Sequence, residues 1–260
     1  MDQLQRAFQD NPRYADVVIV QSPMNGGFSY GNNYGVRTLI SLGFHDGYCV
    51  LVNNDVVFMD CAIDIMRNVF SRDEKIAVVG PMIYDSAGRS SNPPMRTEQS
   101  FLQYLELKNR RNVYFAWDEM ADFEYVYLVC GCCFMIDIAK FIEIDMLDES
   151  VFLYNEEGIL SKKVQNYGYK MGVDKTAGVI HAHSSTTGSN IVFVDVEMVK
   201  SGMYYWRIYE GGGCFKVACL CLFYCIKIIV KRLLNRYASR DNVGKYIKDI
   251  FHTYIRVIRS

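Results

Sequence analysis

The sequence lacks any uninterrupted apolar run long enough to cross a bilayer. Its nearest candidate, CFKVACLCLFYCIKIIV at 214–230, is broken by Lys216 and Lys227. It falls short of the roughly 20 apolar residues that a spanning helix needs. An apolar h-region is also missing from the polar opening MDQLQRAFQDNPRYAD, so no secretory signal is expected. There is no internal repeat. No second well-spaced pair accompanies the C-x-x-C at Cys130–Cys133, and the nine cysteines are odd in number. Neither a zinc site nor a disulfide framework is therefore expected, and the cysteines read as reduced, small apolar residues of a cytoplasmic protein. Excess charge of one sign is missing too, with a net charge of -1. Half of the residues are hydrophobic and 22% are charged, which excludes a disordered, collagenous or low-complexity chain.

That bland net charge hides a division. Residues 201–260 carry a net +8 and residues 1–200 a net -9. The expected organisation is an acidic body at 1–200 and a basic, amphipathic helical tail at 201–260. On a helix, Lys216, Lys227 and Lys231 fall within about 60° of one another, with apolar residues over most of the rest. This pattern predicts a helix lying at a membrane surface with its lysines towards anionic lipid. Val243, Tyr246, Ile247, Ile250, Phe251, Tyr254 and Ile258 predict a second amphipathic helix. The alternative is a pair of helices packed on the body. The acidic body and the lack of a nucleic-acid motif argue against a nucleic-acid partner.

In the body, ADVVIV (15–20), GYCVLVN (47–53) and KIAVVG (75–80) read as buried strands. Asn33–Leu42, stopping at Gly43, and 61–70, capped by Asp60, read as the helices between them. Strands alternating with helices predict a mostly parallel sheet, with its ligand crevice beyond the carboxyl ends of the strands. Residues 21–32 read as a Gly/Asn-rich loop. Further on, the sequence predicts a helix at 101–111, one long strand at 123–137, short helices at 138–144 and 155–166, and a short strand at 178–185.

Four blocks carry a resemblance. NGGFSYGNNYG (25–35), LVNND (51–55), LDESVFLYNEEGILSKKVQNYGY (147–169) and VIHAHS (179–184) stand in order. Together they are similar to the N-x-G-F-x-x-G-N-N-x-G, N-x-D or D-x-D, and L-D-E…Y-x-E-D/E motifs of family 2 glycosyltransferases. The likeness covers roughly residues 10–190, and the E-E-x-I-L variant resembles the bacterial O-antigen and capsule rhamnosyltransferase-like branch. It implies a GT-A-like (Rossmann-like) α/β fold, with a mostly parallel sheet flanked by helices. It also implies an inverting enzyme that moves a sugar from a nucleotide-diphosphate-sugar to a glycan or lipid-linked acceptor. The setting would be surface polysaccharide assembly at the inner face of the cytoplasmic membrane.

The resemblance gives the residues roles. Asp55, at the end of a strand, is a hard oxygen ligand for Mg2+ or Mn2+, with His181 or His183 as a further metal contact. Glu157 takes the place of the catalytic base with Glu156 beside it. Adjacent carboxylates raise each other's pKa, although acidic residues also favour the first turn of any helix. Asn25, Gly27, Phe28, Asn32, Asn33, Asn53 and Asn54 are expected to line the donor pocket, while Asp148 and Glu149 bind the acceptor or order the loop. Against the family pattern, about 60 residues that hold the nucleotide base are expected to be absent ahead of ADVVIV, leaving an exposed sheet edge. The competing reading is a truncated, non-catalytic remnant that only binds acceptor or membrane.

Overall fold

The computed structural model describes residues 17–114, 120–182, 191–234 and 243–259. Helix α1 (Gly27–Ser41) opens the fold inside the Asn/Gly block that the sequence reads as a loop. Ser29, Asn33 and Val36 are its buried residues, and this three- and four-residue spacing gives the segment one inward face. The helix stops at Gly43, as expected, where φ is +98° and the amide donates to the Ile40 carbonyl. Residues 17–20 are not a strand. Val17, Val18 and Val20 are exposed, so the expected buried strand at 15–20 does not form over its described part.

The seven-stranded sheet comprises β1 (Tyr48–Val52), β2 (Val56–Phe58), β3 (Ile76–Tyr84), β4 (Ser90–Ser91), β5 (Phe123–Val126), β6 (Cys133–Asp137) and β7 (Lys170–His181). Its main order is β1-β6-β3-β7-β2, with β4 on β3 and β5 on β7. Only β3 and β7 pair in parallel; the other pairings are antiparallel. The expectation of a mostly parallel sheet is thus corrected to a mixed one. One reason is that β1 and β2 are joined by the tight turn Asn53-Asn54-Asp55 rather than by a helix. Another is that the expected long strand at 123–137 is two strands. Between them Leu128 leaves the sheet to bridge Met95.

Helices α2 (Ala62–Val69), α3 (Phe101–Tyr104), α4 (Ile138–Glu143) and α5 (Glu156–Asn166) complete the body. Cys61, not Asp60, is the N-cap of α2, and its φ is +60°. The helix expected at 101–111 is a single turn, ended by Glu106 at φ +60°. Val36, Phe141, Leu160 and Val164 share one core with Val78, Phe134 and Val173 of the sheet. Ala62, Met66 and Val69 of α2 pack in another with Ile76, Val79 and Met135.

A helical layer follows: α6 (Ile191–Tyr204), a π-helical turn (Tyr205–Tyr209), α7 (Cys214–Leu233) and α8 (Val243–Arg259). Val196, Val199, Met203, Trp206, Leu220, Ile228, Ile250 and Val257 form its core, which also takes in Val151 and Ile159 of the body. The layer therefore begins before the boundary expected at 200, because α6 runs across it. Among the described residues no helix is long and apolar enough to cross a membrane.

Candidate functional site

The turn between β1 and β2 places Asp55, and the end of β7 places His181. His181 Nε2 lies 3.2 Å from Asp55 Oδ1, both side chains being largely buried. The backbone fixes this pairing: Val56 stands opposite His181 in the sheet, and the Ala182 amide donates to the Asp55 carbonyl at 3.1 Å. A carboxylate oxygen and an imidazole nitrogen at this separation suit Mn2+, which accepts both donor types, better than Mg2+, which prefers oxygen. The described residues contain no cluster of three or more such side chains. A cation here would complete its shell with water or with a ligand's phosphate oxygens. His183 lies outside the described residues.

Glu157 stands in the first turn of α5 and lines a cleft of about 440 Å3. The Gly131 amide donates to its Oε1 at 3.1 Å. The approach requires glycine, since a Cβ at 131 would run into that oxygen. Burial raises the Glu157 pKa against the lowering effect of the backbone amides, its own and that of Gly131. Glu156 differs. Its carboxyl turns into the protein, Oε2 has no hydrogen-bond partner, and burial followed by the Glu157 charge pushes its pKa up to about 9. The expected influence within the pair is present in one direction, from Glu157 on Glu156, and desolvation is the larger cause for both.

A chain of backbone contacts links Glu157 to the Asp55–His181 pair. Gly131 holds Glu157, the adjacent Cys132 carbonyl accepts from the Asn53 amide at 2.9 Å, and Asn53 opens the turn that carries Asp55. Asn53 is thus half-buried within this connection, while Asn54 is exposed on the turn. The thiols of Cys130 and Cys132 approach to 3.5 Å on either side of Gly131. These two cysteines sit in the turn before β6 rather than in a strand, and only Cys133 belongs to β6.

The remaining residues expected at the site mostly hold two sequence blocks together. Asn33 Nδ2 donates to the Leu147 carbonyl and to Glu149 Oε1, both at 2.8 Å, while its Oδ1 accepts from the Leu147 amide at 3.1 Å. Arg37 also reaches Glu149 Oε1 at 2.8 Å. Gly27, at φ +90°, lies where a Cβ would collide with the Phe152 carbonyl, and the Phe28 amide donates to that carbonyl at 3.0 Å. Asn25 Oδ1 accepts from the Gly27 amide at 3.3 Å, and Asn32 donates within its helix to the Phe28 carbonyl. Asn32 also lines an apolar groove of about 300 Å3 between α1 and β1. Asp148 accepts from the hydroxyls of Tyr204 at 2.9 Å and Tyr209 at 2.6 Å, and so ties the loop to the helical layer. In these contacts Asn33, Asp148 and Glu149 order the loop, and the glycine at 27 serves a backbone approach within the protein.

Residues of the cleft outside the motif blocks are Tyr104, Tyr127, Tyr205, Trp206 and Tyr224, beside Tyr154 and Asn155 of the third block. Tyr154 and Asn155 are consecutive at φ +69° and +62°, directly before the two glutamates. Asn155 is clamped there, accepting from Tyr104 Oη at 3.0 Å and donating to Ser201 Oγ at 2.9 Å. Two consecutive non-glycine residues in this conformation are costly and mark a segment held by its surroundings. The aromatic residues of the cleft come from separate segments that only the fold brings together.

No model of a known protein family matches the chain, and no curated protein matches it. Among solved structures, the crystal structure of GalNAc-T7 with UDP, GalNAc and Mn2+ is similar, with a TM-score of 0.54 and 14% identity. The likeness covers 100% of this chain and 48% of that one, so the chain spans about half the length of its structural relative. The chain has a GT-A glycosyltransferase fold. Within that GT-A fold, the Asp55–His181 pair stands at the carboxyl end of β7, where a mixed α/β sheet offers its crevice.

Proposed function

We propose that the protein is an inverting glycosyltransferase that moves a sugar from a nucleotide-diphosphate donor to a glycan acceptor seated in the Glu157 cleft. The observation that carries this reading is the short backbone connection between Glu157 and the Asp55–His181 pair, which joins a base to a metal-type ligand set at one end of the sheet. Support for the donor comes from the structural relative, which was crystallised with UDP, GalNAc and Mn2+. Asp55 and His181 would hold a divalent cation, which supplies charge neutralisation for a diphosphate leaving group.

Glu157 accepts the proton of the acceptor hydroxyl as its oxygen attacks the anomeric carbon. Its raised pKa makes it a stronger base than an ordinary carboxylate. Tyr104, Tyr154, Tyr205 and Trp206 offer flat apolar walls for a sugar ring, and Asn92 and Gln99 offer amides for its hydroxyls. The acceptor class we assign is a lipid-linked saccharide of surface polysaccharide assembly, handled at the inner face of the cytoplasmic membrane. The four blocks, with their E-E-x-I-L variant, support that assignment.

The test pairs calorimetry with turnover, using UDP-, GDP- and dTDP-sugars in the presence of Mn2+. Asp55→Ala should abolish Mn2+-dependent nucleotide binding. Glu157→Gln should keep that binding and lower turnover by about 10²- to 10⁴-fold. Unchanged turnover in Glu157→Gln would remove the base assignment. No nucleotide binding by the parent would leave the remnant reading in its place.

A further inference from the structure

Helix α7 has its lysines on the side that packs against the protein, which reverses the expectation from sequence. Lys227 Nζ pairs with Glu106 at 3.0 Å, Lys231 Nζ with Asp195 at 2.5 Å, and Lys216 lies over the Trp206 ring. The outward side is instead apolar along the whole helix. Phe215, Leu222, Ile226, Ile229, Val230 and Leu233 are all exposed, from 81% at Phe215 to 75% at Leu233 at the two ends. At 100° per residue they fall within an arc of about 100°, with no charged residue among them, over a helix about 30 Å long. Water is a poor solvent for such a stripe, and an apolar face of this extent marks an interaction surface.

The neighbouring helix says what covers it. Helix α8 shares its buried face with α7 through Ile250 and Val257, which pack in one core with Val217, Leu220 and Ile228. Its exposed side carries Lys245, Lys248, Arg256 and Arg259 beside the exposed Phe251 and Ile255. Asp249, half-buried on the flank, is the acidic residue of α8. Both exposed faces lie outside the shared core, an apolar stripe on α7 and a basic band on the helix packed against it. We propose that this surface docks on a bilayer with anionic headgroups, α7 entering the acyl boundary and α8 contacting the phosphates. A second copy of the chain is the poorer occupant, because pairing the two layers would bring like basic bands together. The inference is independent of the transfer reading, since it uses no residue of the Glu157 site.

The experiment is co-sedimentation of the full chain with vesicles of mixed phosphatidylglycerol and phosphatidylcholine, against phosphatidylcholine alone. Two exposed-surface variants accompany the parent: Leu222→Asn with Ile226→Asn, and Lys248→Glu with Arg256→Glu. The parent should partition into the anionic vesicles about tenfold or more in excess of the neutral ones, and each variant should lose about tenfold or more of that binding. Thermal unfolding of each variant separates loss of binding from loss of fold. Parent and variants that sediment alike, or a parent that ignores anionic vesicles, would overturn the proposal. So would a dimer in analytical ultracentrifugation that the α7 variant dissolves, because the stripe would then belong to a second copy.

Discussion

Burying the Glu156 carboxyl should have a measurable and signed cost. It is 7% exposed, its Oε2 has no partner, and its pKa is pushed up to about 9 by burial and then by Glu157. In the unfolded chain the same group ionises near the usual Glu value of about 4.3. Between those values the folded protein keeps a proton that the unfolded chain has released. The contribution to stability is therefore fully present below the unfolded pKa and is lost as pH rises through the folded one. At about 1.36 kcal/mol per pH unit the cost near pH 7.5 reaches about 4 kcal/mol. Relaxation and water penetration around a buried charge bring it to about 2 kcal/mol. Glu156→Gln keeps the shape and cannot ionise. The variant should gain about 2 kcal/mol over the parent near pH 7.5 and almost nothing near pH 5. Urea unfolding midpoints from about pH 5 to about pH 8 measure this difference. A constant offset from the unsatisfied amide shifts both curves together and leaves their slopes distinct. Parallel curves across the window would refute the buried, protonated carboxyl.

Gly131→Ala should push the Glu157 carboxylate from its seat, since the new Cβ meets Oε1. Turnover should fall by about 10²-fold with little change in thermal midpoint, and unchanged turnover would show that the amide does not position the base. Asn33→Ala removes two buried hydrogen bonds to Leu147 and a partly buried one to Glu149. It should cost about 2–3 kcal/mol in denaturant unfolding, and a loss below about 0.5 kcal/mol would mean that the loop at 147–149 holds without the clamp.

The strand core was legible where an apolar run is buried on both faces, as β3 grows out of KIAVVG; β1 formed from YCVLV as expected but is an edge strand with only Leu51 buried. The Asp55–His181 pair was legible too, because both ends of it lie in motif blocks. Sheet direction was not. A short connection with asparagines reads the same whether the next strand returns beside its predecessor or departs to β7, and β2 departs. The Asn/Gly block misled in the opposite way. Glycines and asparagines weaken a helix on propensity, but Asn33 is repaid by a buried clamp from 114 residues away, which no local window contains. The cleft failed for the same reason, as Tyr104, Tyr154, Tyr205 and Tyr224 come from four separate segments.

Helix α7 shows why periodicity alone turned the lysine side outward. A helical wheel identifies a lysine side and an apolar side but not which one meets the protein. On an ordinary surface helix charge turns outward, and that is the orientation the lysine spacing predicts. Here Glu106 and Asp195 stand within reach of α7, so the partly covered Lys227 and Lys231 are paired rather than isolated charges. Once those pairs form, the apolar side has nowhere to go but out. The inner side of the same helix contributes Tyr224 to the cleft that Glu157 lines, while Leu222 and Ile226 face away from it. One helix wall thus separates the proposed acceptor cleft from the proposed bilayer surface, an arrangement suited to an acceptor whose saccharide enters the cleft while its lipid stays in the membrane.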